Sequence, residues 1–250
     1  MFNFFSEENS RQGDYFYISG SDYNHIKNVL RMKQGDEFLV SCGGISSLCA
    51  LDSFEGEAAV ARIIEENYQS TDLPIKIYLF QGLPKADKME LIIQKCVELG
   101  VHAIIPTEMS RCVVKLDDKK KKSKTQRWQS IAESAAKQSK RSAIPEVYEA
   151  MSYNQALAMA KDLDILMVPY ECAEGMKATK RVLDKIKIGS SVGIIIGPEG
   201  GFEDSEIDKA VSAGGEVISL GKRILRTETA AITAVGMTML HSEMNLGGDE

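Results

Sequence analysis

From Pro74 onward, short apolar runs alternate with segments of helical periodicity, and that alternation leaves few architectures open. The runs fall at 75–80, 101–106, 165–168, 192–196 and 216–220. Between them, Met89, Ile92, Ile93, Cys96 and Leu99 recur at helical spacing, as do Trp128, Ile131, Ala132 and Ala135. Strands and helices in alternation imply an α/β fold, a parallel sheet with helices on both faces. Asp87 to Glu90 and Ser123 to Gln126 have the form of capping boxes that open these two helices. Gly100 suits the left-handed position after the first helix. Asp204 or Ser205 is expected to cap a further helix carrying Ile207, Ala210 and Val211.

The first 70 residues read differently. Strand-like pieces at 15–18, 37–40 and 58–64 are punctuated by glycines, which suggests a small β-barrel or sandwich. The polar stretch 67–74 ends in Pro and marks a boundary, giving domains 1–72 and 73–250.

Composition excludes several classes. With 44% hydrophobic and 26% charged residues, the profile is globular rather than disordered or collagen-like. No apolar stretch approaches the roughly twenty residues of a membrane span. No basic stretch precedes the N-terminal aromatics, so no secretory leader and a cytoplasmic location are expected. Cys42, Cys49, Cys96, Cys112 and Cys172 include no C-x-x-C pair and read as reduced thiols. His25, His102 and His241 lie far apart, so no metal is expected.

The net charge of −6 is unevenly spread. Residues 1–72 hold five Lys or Arg against twelve Asp or Glu, whereas residues 110–141 hold eleven basic against three acidic residues. The basic run from Lys115 to Lys124 admits two readings, a solvated loop or a patch that contacts nucleic-acid phosphates.

Ligands of open parallel sheets bind beyond the carboxyl ends of strands. Three such loops are chemically distinctive: Val168-Pro169-Tyr170-Glu171, Ile196-Gly197-Pro198-Glu199-Gly200-Gly201-Phe202, and the stretch from Leu220-Gly221 through Arg226-Thr227-Glu228-Thr229-Ala230. The second lacks both G-x-x-x-x-G-K-[ST] and G-x-G-x-x-G and is followed by three acids, so a ligand without phosphate fits it better. The missing fingerprint also argues against a Rossmann methyltransferase.

These residues carry a resemblance. Gly197 to Phe202, followed by Leu220-Gly221 and Arg223-Ile224-Leu225-Arg226-Thr227-Glu228-Thr229-Ala230, resembles the bacterial RsmE family, 16S rRNA uridine N3-methyltransferases of the SPOUT superfamily. His25-Ile26 with Val29-Leu30-Arg31-Met32, Lys85 to Glu90, Glu98-Leu99-Gly100, and Arg127-Trp128 through Arg141 resemble its other blocks. Asn3, Cys42, Lys140, Lys222 and Glu203 depart from the usual pattern, Asn3 standing where an Arg is common.

The resemblance implies an N-terminal PUA-like β-barrel that binds RNA and a C-terminal trefoil-knotted domain. It implies a homodimer that uses S-adenosylmethionine to methylate N3 of uridine 1498, with the small ribosomal subunit as partner and no membrane. The donor would lie against Pro169 from the first loop and Ile196, Gly197, Pro198, Glu199, Gly200 and Gly201 from the second. Leu220, Gly221, Ile224, Leu225 and Thr229 would hold it from the third. Arg226 would stabilise charge on the uracil oxygens as N3 loses its proton, and Glu228 would orient Arg226 or help carry the proton away. A structural Arg226–Glu228 interaction is the alternative. Arg31, Lys115 and Arg127 are expected RNA contacts. Gln138 and Arg141 would meet RNA or the partner subunit, or else belong to a solvated helix. The small-residue helix after Thr229 suits a knot core, a dimer interface or burial within one subunit.

Overall fold

The structure, a computed structural model of the chain, describes residues 1–68, 71–171 and 175–246. It divides into two compact units, one made of Met1–Asp72 with Ala136–Ile144 and the other of Leu73–Ala135 with Pro145–Glu250. The expected single cut after residue 72 is therefore corrected. Residues 136–144 are held to the first unit by polar bonds: the Asn3 side-chain amide donates to the Arg141 carbonyl (3.0 Å), the Thr71 hydroxyl donates to the Lys140 carbonyl (3.0 Å), and Lys137 pairs with Asp22 (3.2 Å).

The first unit contains β1 (Asn3–Phe5), β2 (Arg11–Gln12), β3 (Tyr15–Ile18), α1 (Gly20–Asn24), a single π-turn at His25–Val29, β4 (Glu37–Cys42), β5 (Ile45–Glu55) and β6 (Ala58–Glu65). The strands form a curled six-stranded sheet in the order β1-β4-β5-β6-β3-β2, antiparallel except for β1 beside β4. Phe4, Phe16, Phe38, Ile26 and Leu51 fill its core, with the Phe4 and Phe38 rings edge-to-face at 5.4 Å.

The second unit contains β7 (Lys76–Gly82), α2 (Lys88–Glu98), β8 (Ala103–Glu108), α3 (Asp118–Gln138), β9 (Glu146–Val147), β10 (Met151–Ser152), α4 (Tyr153–Ala160), β11 (Ile165–Pro169), α5 (Met176–Leu183), β12 (Ser191–Ile196), α6 (Asp204–Ser212), β13 (Glu216–Ile218) and α7 (Thr227–Leu246). The last three residues of α3 are grouped with the first unit. Every strand pairing here is parallel, in the order β10-β8-β7-β12-β11-β13, with β9 against β8. Ile77, Leu79, Phe80, Ile104, Met167 and Ile194 are fully buried, as a sheet covered on both faces requires. α7 packs on α2, β7 and β12, with Ala231 and Ala234 fully buried.

Three expected helix caps are corrected. Asp87 precedes α2 but its side chain makes no cap bond: its backbone (φ −91, ψ 10) is not in the extended conformation of a cap residue, and Glu90 is engaged by the Arg127 guanidinium (2.7 Å). α3 begins at Asp118, so Ser123 lies inside it and bonds back to the Lys120 carbonyl, while the Asp117 carboxylate accepts the Lys120 N–H (2.8 Å). The lysine run is thus helical rather than a loop from Lys119 onward. α6 is preceded by Glu203, whose N–H donates to the Glu206 carboxylate (2.9 Å), so neither Asp204 nor Ser205 is the cap.

Candidate functional site

β11, β12 and β13 end side by side, because β11 pairs with both others and the Tyr170 N–H continues the ladder to the Ile218 carbonyl (3.0 Å). The loops that leave these ends enclose a cavity of about 520 Å³. Pro169–Glu171 form one wall, Ile196–Phe202 the second and Ile224–Thr227 the third, with Lys88 and Arg111 at the side. A smaller cavity of about 120 Å³ shares Pro169, Ile224 and Leu225 and adds Ser219, Leu220 and Gly221.

The glycine loop is fixed from below. A Cβ on Gly82, at the end of β7, would lie 2.7 Å from the Pro198 nitrogen and 3.0 Å from the Gly197 carbonyl carbon, so the loop rests directly on that backbone. The Thr227 hydroxyl donates to the Gly197 carbonyl (2.7 Å) and accepts from the Gln81 side-chain amide (2.9 Å), which also donates to the Gly82 carbonyl. Gln81 is fully buried, and no hydrogen bond reaches its Oε1. One buried amide therefore links the end of β7, the start of α7 and the loop after β12. Arg111 holds the far end of that loop by donating to the Gly200 carbonyl (3.1 Å).

Two of the charged groups that line the cavity, Lys88 and Glu199, are paired with each other. Lys88 bridges Glu199 (3.0 Å) and Glu228 (3.2 Å), and both carboxylates hold its ammonium above the ordinary lysine value. Burial pushes the Glu199 carboxyl up, but the Lys85 N–H, its own N–H and Lys88 outweigh burial and leave it below the usual carboxylate range. Arg226 lines the cavity exposed, and no described carboxylate pairs with its guanidinium. Glu228 is thus Lys88's partner rather than Arg226's, which corrects the expectation of an Arg226–Glu228 interaction.

Most residues expected at the donor site are brought together. Pro169, Ile196, Gly197, Pro198, Glu199, Gly200, Gly201, Ile224 and Leu225 line the larger cavity; Leu220 and Gly221 line only the smaller. Thr229 lines neither and is exposed in the first turn of α7. Lys88, Arg111 and Gln81 carry no site signal in the sequence, since they are lone polar residues outside the glycine loop.

Of the expected RNA contacts, Arg31, Lys115 and Gln138 are exposed, and Arg127 is exposed but paired with Glu90. Arg141 is corrected: it is 7% exposed, its guanidinium lies 4.0 Å from Asp72, and burial lowers its pKa. Asn3 is buried as well, its amide oxygen accepting from Ser41. Cys49, Cys96 and Cys112 are buried with pKa values raised by that burial, Cys49 to about 12, so none is a ready nucleophile. Cys172 lies outside the described residues. Among the described residues no cluster of His, Cys, Asp and Glu could hold a metal ion, and no helix is long and apolar enough to cross a membrane.

Residues 71–239 match the model of an RNA methyltransferase domain, and residues 18–44 that of an RNA methyltransferase PUA domain. Ribosomal RNA small subunit methyltransferase E of Bacillus subtilis is 41% identical, over 94% of this chain and 93% of the relative. The Mesomycoplasma hyopneumoniae protein of the same name is 34% identical over 93% and 96%. A crystal structure of the Neisseria gonorrhoeae protein of that name, bound to S-adenosyl methionine, superposes with a TM-score of 0.80 at 31% identity, covering 96% of this chain and 97% of that one.

Proposed function

The chain belongs to the ribosomal RNA small subunit methyltransferase E family, and on that premise we propose that it methylates N3 of uridine 1498 in 16S rRNA using S-adenosylmethionine. The observation that carries the reading is the Arg226 guanidinium, paired with no described carboxylate, on the wall of a cavity built by three strand-end loops.

The cavity suits such a donor. Its walls combine apolar side chains (Pro169, Ile196, Phe202, Leu225) with glycine backbone and the carboxylates of Glu171 and Glu199, which complement a cationic ligand. The donor, when bound, supplies an electrophilic methyl group on a sulfonium. Gly197, Gly200, Gly201, Leu220 and Gly221 would hold it, and the link from Gln81 through Thr227 to Gly197 keeps their loop in place. Orientation of this kind can lower a two-reactant barrier by about 7–11 kcal/mol.

Uracil N3–H is weakly acidic, so the site must also manage a proton. Arg226 donates to the uracil oxygens and stabilises the charge that develops as N3–H is lost. Glu228, held by Lys88, helps carry that proton away. The first unit, with Arg31, and the segment bearing Lys115 and Arg127 contact the RNA, Gln138 meeting RNA or the partner subunit. The same reading includes a homodimer, a trefoil-knotted second unit and a cytoplasmic location.

Arg226→Ala tests the assignment. Donor affinity by calorimetry should be unchanged, while methyl transfer to small subunits from a strain lacking the gene falls by roughly 100- to 1,000-fold. Undiminished transfer would remove Arg226 from the chemistry.

A further inference from the structure

A third cavity, of about 240 Å³, lies on the other side of the first turn of α2. Its floor is Leu83, Met89 and Trp128, all nearly fully buried. Val114 and Leu116 stand half-buried at its side, and its two charged groups are Asp87 and Lys124. The same two stretches of chain serve both cavities. Lys88 and Arg111 face the donor cavity, while their neighbours Asp87, Met89 and Val114 face this one. The intervening turn is tied to the donor loop, since the Lys85 N–H donates to Glu199 (3.0 Å). Ala86 in that turn sits at φ +54, a left-handed conformation costly for a residue with a Cβ and of a kind that clusters at ligand sites.

Apolar faces, a buried indole and one carboxylate suit a flat heteroaromatic ring with N–H groups on its edge. The Asp87 carboxylate is available for such an edge, since it makes no cap bond. Lys119, Lys120 and Lys122 stand exposed on the first turns of α3, beside Lys124, and complement a phosphate backbone. We propose that this cavity is a nucleobase subsite that takes an unpaired base neighbouring the methylated uridine in the same RNA strand. The identity of that neighbour rests on the proposed function; the binding of a base does not.

Trp128 is the only tryptophan and lines this cavity, so its emission reports a change there. The full-length protein would be titrated with a short single-stranded oligoribonucleotide and with a strand of the same length that is abasic throughout. The base-bearing strand should give a saturable change in emission and the abasic strand none. Val114→Phe, which narrows the cavity, and Lys124→Glu should each weaken the base-dependent change about ten-fold or more, with circular dichroism confirming the fold. An equal change with the abasic strand, or full retention in a folded Val114→Phe protein, would overturn the subsite. A base-dependent change in a protein that fails to methylate uridine 1498 would uphold the subsite and sink the functional reading. Methylation without any base-dependent change would do the reverse.

Discussion

The Thr227 hydroxyl donates to the Gly197 carbonyl across 2.7 Å, joining the first residue of α7 to the loop that follows β12. Both groups are in a site closed from below by the fully buried Gln81, so the bond is part of the frame of the donor cavity. Thr227→Val keeps the shape and removes the hydroxyl, leaving the Gly197 carbonyl without this donor. Urea unfolding should show a loss of about 1–3 kcal/mol, and calorimetry a weaker donor affinity. Thr227→Ser, which keeps the hydroxyl, should restore both.

Gly82 is the position where a single methyl group should do most damage. Its Cβ would meet the Pro198 nitrogen at 2.7 Å and Cδ at 2.8 Å, and neither belongs to a flexible side chain that can move aside. Gly82→Ala should cost about 1–3 kcal/mol of stability, in the range of overpacked cores, and weaken donor binding by displacing the loop. Donor affinity equal to that of the unaltered protein would show that the loop adapts.

The Lys88 bridge makes a prediction about pH. Glu199 has a folded pKa below its ordinary 4.5, so the stability it contributes is present above that value and lost as pH falls through the folded one. Lys88 has a folded pKa above its ordinary 10.5, so its contribution is present below that value and lost as pH rises through the folded one. Lys88→Met removes the Lys88 contribution and the share of the Glu199 contribution that Lys88 supplies, leaving the share held by the Lys85 and Glu199 N–H groups. The gap in urea midpoint between the variant and the unaltered protein should therefore be widest near neutrality and narrow at both extremes. A gap independent of pH would mean that the bridge adds nothing to stability.

How much of this was legible in the sequence depended on what each residue pairs with. The strands β7, β11 and β12 are buried on both faces and therefore stand out as apolar runs. β5, the longest of the described strands, is not legible in the sequence: Ser46 and Ser47 interrupt its apolar pattern and Asp52 breaks it again, and its pairing with β6 shifts register twice. The start of α3 is hidden because dense lysines mask the helical period and because Asp117, not Ser123, accepts a backbone N–H of the first turn, that of Lys120. The glycine loop and Arg226 were legible as residue types in order. Lys88 and Gln81 were not, because their roles depend on groups more than a hundred residues away.

The first unit offers a separate test. Arg31 is exposed and sits at φ +53, so Arg31→Gly removes the side chain while relieving backbone strain of about 1–2 kcal/mol. Stability should hold or rise, while RNA affinity falls and its salt dependence becomes shallower by about one unit of slope. Unchanged RNA binding would make the acidic first unit a spacer.

The central claim is tested most directly by primer extension on 16S rRNA from a strain lacking this gene, complemented with the unaltered gene or with Arg226→Ala. Methylation at N3 blocks pairing and arrests the polymerase. The arrest at uridine 1498 should be absent without the gene, return with the unaltered protein and stay absent with the variant. An arrest that persists without the gene, or that Arg226→Ala restores in full, would contradict the account.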